Sequence, residues 1–315
     1  MAEPRRPTDH FAFLAYRSAA EIATRVPGPI GEPTARALGR ALSLAQPGRR
    51  RIVRRNLERV WGGPRGAAAT GRAVSAAFDS YGRYWLELFR LPSDPDGVLR
   101  GWSIDGFEHV EASIGLGRGT LLALPHLGGW EAAGLWMTSQ GHHLSVVVEK
   151  VEPPELFDWF VDIRESLGMD VIPLGPDVAT RSLQALADNS VLCLLCDRDL
   201  TGDGVEVEFF GETTTLPAGP ALLALRTGAP LLPAAVYFRP RGGHHAVVRP
   251  PLDAARRGKL RDDIVDLTQR LAHELEELIR AAPEQWHLMQ PNWPSDRTTG
   301  GRGRRAPFRM PFRAP

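Results

Sequence analysis

The sequence predicts an α/β fold in which helices flank a central, mostly parallel or mixed sheet, with a helical N-terminal segment in front of it. From residue 103 onward, short apolar runs alternate with amphipathic stretches, a pattern typical of parallel strands covered by helices on both faces. Before residue 100, apolar residues recur at helical spacing. The 315 residues are 43% hydrophobic, which is enough to bury a sizeable core.

Residues 1–100 form the predicted helical region, which we expect to associate with a membrane. Its last helix is expected to end at Pro92. A short amphipathic helix near its centre carries a cluster of arginines: Arg49, Arg50, Arg51, Arg54 and Arg55. Such a helix is often only a solvated face, but it also fits a contact with anionic lipid headgroups.

Residues 101–295 form the predicted α/β core. Its strands are expected near residues 103–106, 120–125, 144–148, 171–173, 191–196, 231–238 and 245–249. Its helices are expected near residues 108–114, 130–139, 154–167, 177–187, 219–227 and 262–281. Ligands of such sheets collect at the carboxyl ends of the strands, so His126, Glu149 and Asp197 are the first candidates for a functional site.

Residues 296–315 are predicted to be a disordered basic tail, because Gly, Pro and Arg dominate and no periodicity remains. Phe308 and Phe312, set among its arginines, would also allow contact with an anionic membrane. No secretory signal and no run of about 18 apolar residues occurs, so we expect the chain to stay in the cytoplasm. A net charge of +1 gives no reason to expect a nucleic-acid partner.

Several kinds of chemistry find little support in the sequence. Cys193 and Cys196 would face opposite sides of a strand, so we expect buried apolar thiols and not a redox or metal pair. Adjacent histidines at 142–143 and 244–245 also diverge on a strand, and no metal is expected. The GLGRG run at 115–119 precedes a strand, which is not the phosphate-binding context, and no G-x-S-x-G turn of a hydrolase occurs.

The run TLLALPHLGGWE, residues 120–131, places His126 at the end of a buried strand. Gly128 and Gly129 let the chain turn sharply before a helix that begins with Trp130 and Glu131. Glu131 could accept a hydrogen bond from one imidazole nitrogen while the other nitrogen faces a cleft, an arrangement that suits a general base. The alternative is a structural histidine, with Glu131 stabilising the helix N-terminus.

The wider sequence resembles a known family. PHLGGWE fits the H-x4-D/E motif of the acyltransferases of lysophospholipid and lipid A biosynthesis. Further matching segments, in chain order, are SYGRYWLELFRLP, ESLGMDVIPL, CLLCDRDLTGDGVEVEFFGETTTLPAGPALLAL and PEQWHLMQPNW. Together they cover most of residues 75–293 and look like the actinobacterial phosphatidylinositol mannoside acyltransferases.

This resemblance implies an O-acyltransferase at the cytoplasmic face of the plasma membrane, with long-chain acyl-CoA as donor substrate and no cofactor. His126 would take the proton from a mannose hydroxyl of a phosphatidylinositol mannoside, and the oxygen would attack the thioester directly, without an acyl-enzyme. Relatives place an acidic residue of a later D/E-R-D turn beside the base, which maps to Asp197. Whether Glu131 or Asp197 is the direct partner stays open, and we expect Asp197 to share or dominate that role.

Residues expected to contact substrate are Glu149, Arg164, Arg198, Phe209 and Phe210. The two arginines would bind a phosphate or headgroup, Glu149 would line the acceptor site, and the phenylalanines would form an apolar wall. The alternatives are a solvated ion pair in the turn at Arg198 and ordinary core packing of the phenylalanines. For the oxyanion of thioester attack, the candidates are the backbone amides of Gly128, Gly129 and the following helix start, together with the two arginines, and the sequence does not choose among them.

The sequence leaves other functions open. The acceptor could be a lipid A precursor or a lysophospholipid, the protein could be a lipid hydrolase or thioesterase, or it could be a non-catalytic lipid-binding protein at the membrane. Fold alone does not decide among them. Donor chain length, the acylated hydroxyl and the oligomeric state have no signal in the sequence.

Overall fold

A computed structural model describes residues 7–240 and 242–297. The helices are α1 (Pro7–Arg25), α2 (Gly28–Ala45), α3 (Pro47–Val60), α4 (Ala67–Arg90), α5 (Pro95–Leu99), α6 (Phe107–Ile114), α7 (Trp130–Ser139), α8 (Pro154–Ser166), α9 (Val178–Ala187), α10 (Gly219–Thr227) and α11 (Leu260–Ala281). The strands are β1 (Ser103–Asp105), β2 (Thr120–Leu124), β3 (Leu144–Val148), β4 (Met169–Pro173), β5 (Val191–Leu195), β6 (Val205–Phe209), β7 (Glu212–Leu216), β8 (Leu231–Phe238) and β9 (His244–Val248).

A seven-stranded sheet forms the centre, in the order β1-β9-β8-β2-β5-β3-β4. Strands β8, β2, β5, β3 and β4 are parallel to one another. Strand β9 pairs antiparallel with β8, and β1 pairs parallel with β9. This mostly parallel sheet, flanked by helices, confirms the predicted fold class. The predicted strands and helices of residues 101–295 all occur, with ends that differ by no more than two residues.

Each face of the sheet has its own apolar core. On one face, Leu122 and Leu124 of β2 pack with Met137 of α7. On the other face, Leu121 and Ala123 pack in a cluster that includes residues of α10 and α11. Alternate residues of β2 therefore enter different cores, as expected for a strand buried on both sides.

A two-stranded hairpin, β6 and β7, lies outside the main sheet. The sequence analysis predicted neither strand. Exposed and buried residues alternate along β6, which is the signal of a half-buried strand. The hairpin packs on α11, where the side chain of Gln269 bonds both backbone polar groups of Glu208.

The N-terminal helices cover the outer side of α7 and α8. Their shared cluster includes Phe78 of α4, Ala132 of α7 and Phe160 of α8. Helices α2 and α4 lie in close contact at Gly39. A Cβ at this position would be only 2.3 Å from the carbonyl oxygen of Phe78, so the contact requires a glycine. No helix within the described ranges is long and apolar enough to span a bilayer.

The C-terminal segment returns to the N-terminal helices. Asp296 has a fully buried side chain, and Arg59 of α3 donates to its Oδ1 at 2.8 Å. Arg59 also donates to Glu212 of β7 at 2.8 Å and lies over the ring of Trp293 at 4.1 Å. Residue 296 therefore belongs to the folded body, which corrects the predicted start of the tail, and residues 298–315 of that tail lie outside the described residues.

Candidate active site

His126 and Asp197 follow two neighbouring strands of the sheet. Strands β2 and β5 are adjacent and parallel, so their carboxyl ends meet at the same edge. The chain leaves β2 toward β3 and leaves β5 in the opposite direction, toward β8. Such a reversal opens a crevice between two strand ends, where ligands of open α/β sheets bind.

The imidazole of His126 and the carboxylate of Asp197 form a hydrogen bond in this crevice. Nδ1 lies 2.6 Å from Oδ1, the Asp197 side chain is fully buried, and that of His126 is 17% exposed. Trp286 donates from Nε1 to the second carboxylate oxygen at 2.7 Å. Asn292 donates from Nδ2 to the main-chain oxygen of Asp197 at 3.1 Å, so the aspartate is held at three points.

The surroundings of Asp197 keep its carboxylate ionised. Burial alone would raise its pKa, but the charge of His126 and the hydrogen bonds from His126 and Trp286 outweigh burial and lower the pKa below its ordinary value. A carboxylate at Nδ1 favours the tautomer with the proton on that nitrogen, which leaves Nε2 as the basic nitrogen. The pair can therefore accept a proton from a hydroxyl and stabilise the resulting imidazolium.

The glycine turn after β2 fixes the position of His126. Gly128 has a φ of 59°, and a Cβ there would lie 2.0 Å from the carbonyl oxygen of Val236. The N–H groups of Gly128 and Gly129 donate to the carbonyls of Gln285 and Val236 at 3.0 and 3.2 Å. These two amides are engaged within the protein, so they do not serve as the oxyanion donors that the sequence left open.

Glu131 lies apart from the imidazole and pairs with Arg164. Nε of Arg164 lies 3.1 Å from Oε2, Nη2 bonds Oε1, and the Tyr84 hydroxyl donates to Oε1 at 3.5 Å. Of the two partners that the sequence left open for His126, Asp197 bonds Nδ1, whereas α7 turns the Glu131 carboxylate toward α8. Burial would lower the pKa of Arg164, but the charge of Glu131 and its hydrogen bonds raise it, so the guanidinium keeps its charge.

A second histidine, His287, also belongs to the site, and the sequence analysis did not single it out. Its main-chain N–H donates to the carbonyl oxygen of His126 at 2.8 Å, and its Nε2 lies 2.9 Å from Oγ of Ser80. Burial, assisted by the charge of His126, lowers the pKa of His287 to about 3, so the ring is neutral at physiological pH. The only signal was its place beside Trp286 in the run PEQWHLMQPNW.

The crevice opens into a cavity of about 540 Å³. Polar residues that line it include Arg49, His126, Glu149, Arg164 and Arg198. Nη2 of Arg198 lies 2.7 Å from Oε2 of Glu149, so two of the predicted substrate contacts form an ion pair with each other. Apolar side chains of β2, β3, β5, α7, α9 and α10 line most of the interior.

Phe209 and Phe210 are not among the residues that line this cavity. Phe209 is fully buried and stacks on Trp293 with 5.8 Å between the ring centroids, and Phe210 contacts Trp286 at 5.7 Å. The predicted apolar substrate wall is corrected to core packing, because the β6–β7 hairpin turns both rings toward the C-terminal segment. They pack against Trp286, which in turn holds Asp197.

Comparison with known proteins assigns the family. The profile of the bacterial lipid A biosynthesis acyltransferases matches residues 5–295. This chain belongs to that acyltransferase family. The phosphatidylinositol mannoside acyltransferase of Mycobacterium tuberculosis is 42% identical over 251 residues, which cover 78% of this chain and 77% of the relative. The protein of the same name from Mycolicibacterium smegmatis is 40% identical over 257 residues, 80% and 82% of the two chains.

The chain is thus a lipid acyltransferase, and both of its thiols lie in surroundings that disfavour the thiolate. Cys193 lines the cavity, and burial raises its pKa to about 12. Burial also raises the pKa of Cys196 well above its ordinary value. Because only a thiolate is a strong nucleophile, neither cysteine is suited to carry the acyl group in this acyltransferase.

Proposed function

We propose that this acyltransferase transfers a long-chain fatty acyl group from acyl-CoA to a mannose hydroxyl of a phosphatidylinositol mannoside, with His126 as general base. One observation carries the proposal: the hydrogen-bonded pair of His126 and Asp197, 2.6 Å apart, borders a mainly apolar cavity. A base beside such a cavity suits a reaction between a hydroxyl and a fatty thioester. The names of the relatives support the choice of acceptor.

In the proposed reaction, Nε2 of His126 takes the proton of the acceptor hydroxyl while the oxygen attacks the carbonyl carbon of the thioester. The new carbon–oxygen bond gives a tetrahedral intermediate with a negative oxygen. When it collapses, the carbon–sulfur bond breaks and the imidazolium gives its proton to the leaving thiolate. The products are the acylated glycolipid and free CoA, and Asp197 stabilises the imidazolium between the two proton transfers.

Arg164 is our candidate for stabilising the oxyanion. It lines the cavity, and the bidentate bond to Glu131 fixes its guanidinium before any substrate binds. A donor fixed in advance costs no reorganisation when charge develops in the transition state. Glu131 would then act through Arg164 and not as a partner of the base.

We further propose that the protein is peripheral on the cytoplasmic face of the plasma membrane, where its proposed acceptor lies. The side of α2 turned away from α4 carries Ile30, Leu38 and Leu44, which are 60, 65 and 74% exposed. Arg51 and Arg54 of the following helix are also exposed. Apolar side chains beside cations suit an anionic bilayer, where each basic residue contributes about 1 kcal/mol.

The test is an assay of the purified protein with radiolabelled palmitoyl-CoA and a panel of acceptors: a phosphatidylinositol mannoside, a lysophospholipid and a lipid A precursor. We expect the label to enter the mannoside, with at least a hundredfold lower rate for His126→Ala. His273→Ala, a change of an exposed histidine on α11, serves as the matched control and should retain the wild-type rate.

The other outcomes separate the alternatives. Transfer to the lysophospholipid or the lipid A precursor instead would keep the reaction and overturn the acceptor. Release of free palmitate as the main product would identify a thioesterase. Tight lipid binding without turnover in the wild type would identify a lipid-binding protein and overturn the enzymatic mechanism.

A further inference from the structure

The cavity reaches both faces of the sheet. Val146 and Cys193 pack against the core on the α7 side, whereas Val147 and Leu194 pack against the core on the other side, yet all four residues line the cavity. Neighbouring residues of one strand point to opposite faces, so a cavity confined to one face would expose only alternate residues. Every residue of β2 is buried, but the last three residues of both β3 and β5 are partly accessible.

The reason is a split in the sheet. Strand β5 pairs with β2 along its whole length, and β3 does the same with β4. Between β3 and β5, however, pairing ends at Val146 and Cys193. Beyond that point β3 and β5 are no longer paired, and an ion pair between Glu149 and Arg198 links the segments that follow the two strands. Side chains that line the cavity near this gap lie on both faces of the sheet, and we describe the two groups as two arms of the cavity.

We call the first arm the α7 compartment; it is lined by Ala133, Gly134, Met137, Leu144, Met169 and Cys193. It begins beside Leu124, two residues before His126, and reaches Leu144 at the opposite end of the sheet. Four steps along a strand make this depth about 13 Å at ~3.3 Å per residue. Because it begins at the base, this arm suits the chain attached to the reacting carbonyl, that of the donor.

We call the second arm the α9 compartment; it is lined by Val147, Val178, Ala179, Leu194, Leu222 and Leu223. These side chains are apolar, so they offer water few hydrogen bonds. Burial of a hydrocarbon chain against them is favourable because it removes apolar surface from water. The arm lies across the split, on the face of the sheet opposite to the α7 compartment. A donor with a single acyl chain fills the α7 compartment and leaves this arm for another chain.

We infer that the α9 compartment binds a fatty chain of the acceptor lipid, separate from the donor chain in the α7 compartment. The inference rests on the proposed function, since the acceptor is the second lipid that must meet the donor at His126. Arg49 and Arg198 line the same cavity and complement the phosphate that joins such a chain to its headgroup. The split sheet thus brings two lipids to one base from opposite faces.

The first experiment counts chains without catalysis. Native mass spectrometry with palmitic acid as probe should find two molecules bound to the wild type. Ala179→Trp, at an exposed position of α9, should fill the α9 compartment and leave one palmitic acid bound in the α7 compartment. Ala133→Trp should fill the α7 compartment and leave one bound in the α9 compartment. Ala187→Trp, on the exposed side of the same helix α9 and outside the cavity lining, should retain two. Any other stoichiometry overturns the inference.

The second experiment assigns the chains. Ala179→Trp should raise the KM for an acceptor with fatty chains at least tenfold, without changing the KM for its deacylated form or the preference between C12 and C16 donors. Ala133→Leu should shift the preference toward the shorter donor. If Ala179→Trp shifts donor preference instead, one chain passes through both arms and the inference is wrong. If the wild type acylates a different lipid, the proposed acceptor is wrong. The same comparison of KM values, made with that lipid and its deacylated form, then tests the role of the α9 compartment.

Discussion

The carboxylate of Asp197 lies 2.6 Å from Nδ1 of His126, although 71 positions separate the two residues in the chain. The contact exists because β2 and β5 are neighbours in the sheet and end at the same edge. Glu131, only five positions from the histidine, is engaged elsewhere. The partner of the histidine is therefore not the carboxylate nearest to it in sequence. We expect substitution of Asp197 to lower activity and substitution of Glu131 to lower stability.

For Asp197→Asn we expect kcat to fall by about 10²–10⁴, because a neutral amide does not stabilise the imidazolium and does not fix the tautomer. The KM for the donor should change little, since the cavity wall is intact. Steady-state kinetics with palmitoyl-CoA measure both values. A fall of less than tenfold would show that the base works without this partner.

For Glu131→Ala we expect a loss of stability, because the change leaves the buried guanidinium of Arg164 without its counter-charge. Removing one member of a buried ion pair costs about 3–5 kcal/mol. The double variant Glu131→Leu with Arg164→Met should regain most of the free energy of unfolding, as measured by chemical denaturation. A single variant as stable as wild type would contradict a structural role for the pair.

Trp286→Phe tests whether the indole tunes the reacting pair. The change retains an aromatic ring but removes the N–H that bonds Oδ2 of Asp197 at 2.7 Å. The indole bond helps to lower the pKa of Asp197, so its loss should raise the pKa of this carboxyl, and the acid side of the kcat/KM profile should move to higher pH. A residue that only packs would lower the plateau and leave the position of the limb unchanged.

His287 should make the fold sensitive to acid. Its pKa is lowered from 6.5 to about 3 in the folded protein, so below pH 6.5 the unfolded chain binds a proton that the folded protein does not. Stability from this group is thus present above pH 6.5 and decreases as the pH falls toward 3, by about 1.4 kcal/mol per unit. Denaturation curves of His287→Gln should have a smaller pH slope, whereas His273→Gln should retain the wild-type slope.

The exposed side of α2 should govern membrane attachment. Replacing Leu38 and Leu44 with Asp removes two apolar side chains, each of which contributes about 1.5–3 kcal/mol when buried in lipid. Co-sedimentation with anionic phosphatidylglycerol vesicles should weaken at least tenfold. Leu183→Asp, at an exposed position on α9, is the control. Unchanged sedimentation of the double variant would place the attachment surface elsewhere.

Much of the fold could be predicted because each element carries its own local signal. Alternating apolar runs and helix starts located the strands and helices of the core to within two residues. The β6–β7 hairpin was not predicted, although exposed and buried residues alternate along β6, and its phenylalanines were interpreted as a substrate wall. Those rings face inward. Their orientation is set by the packing of the hairpin on the C-terminal segment, which the local sequence does not show.

The site was predictable residue by residue but not as a set of contacts. His126 and Asp197 each end a buried strand, which the sequence indicates, whereas the adjacency of β2 and β5 follows from the order of the sheet. The place of Glu131 in the first turn of α7 made it one of two possible partners of the imidazole, but its orientation depends on Arg164 of another helix. His287 lies in PEQWHLMQPNW, a segment that matches the family, but neither periodicity nor a catalytic motif marked it as part of the site.

Trp286 and Asn292, which hold Asp197, are synthesised long after it, so they determine when during translation the complete site can form. Trp286 follows Asp197 by 89 positions, and Arg59 anchors the chain beyond it through Asp296. At about 5–20 residues per second of synthesis, that interval is about 4–18 seconds. A nascent chain therefore carries its histidine and aspartate for several seconds before Trp286 has been made, and the complete site forms only when translation of this domain is nearly finished.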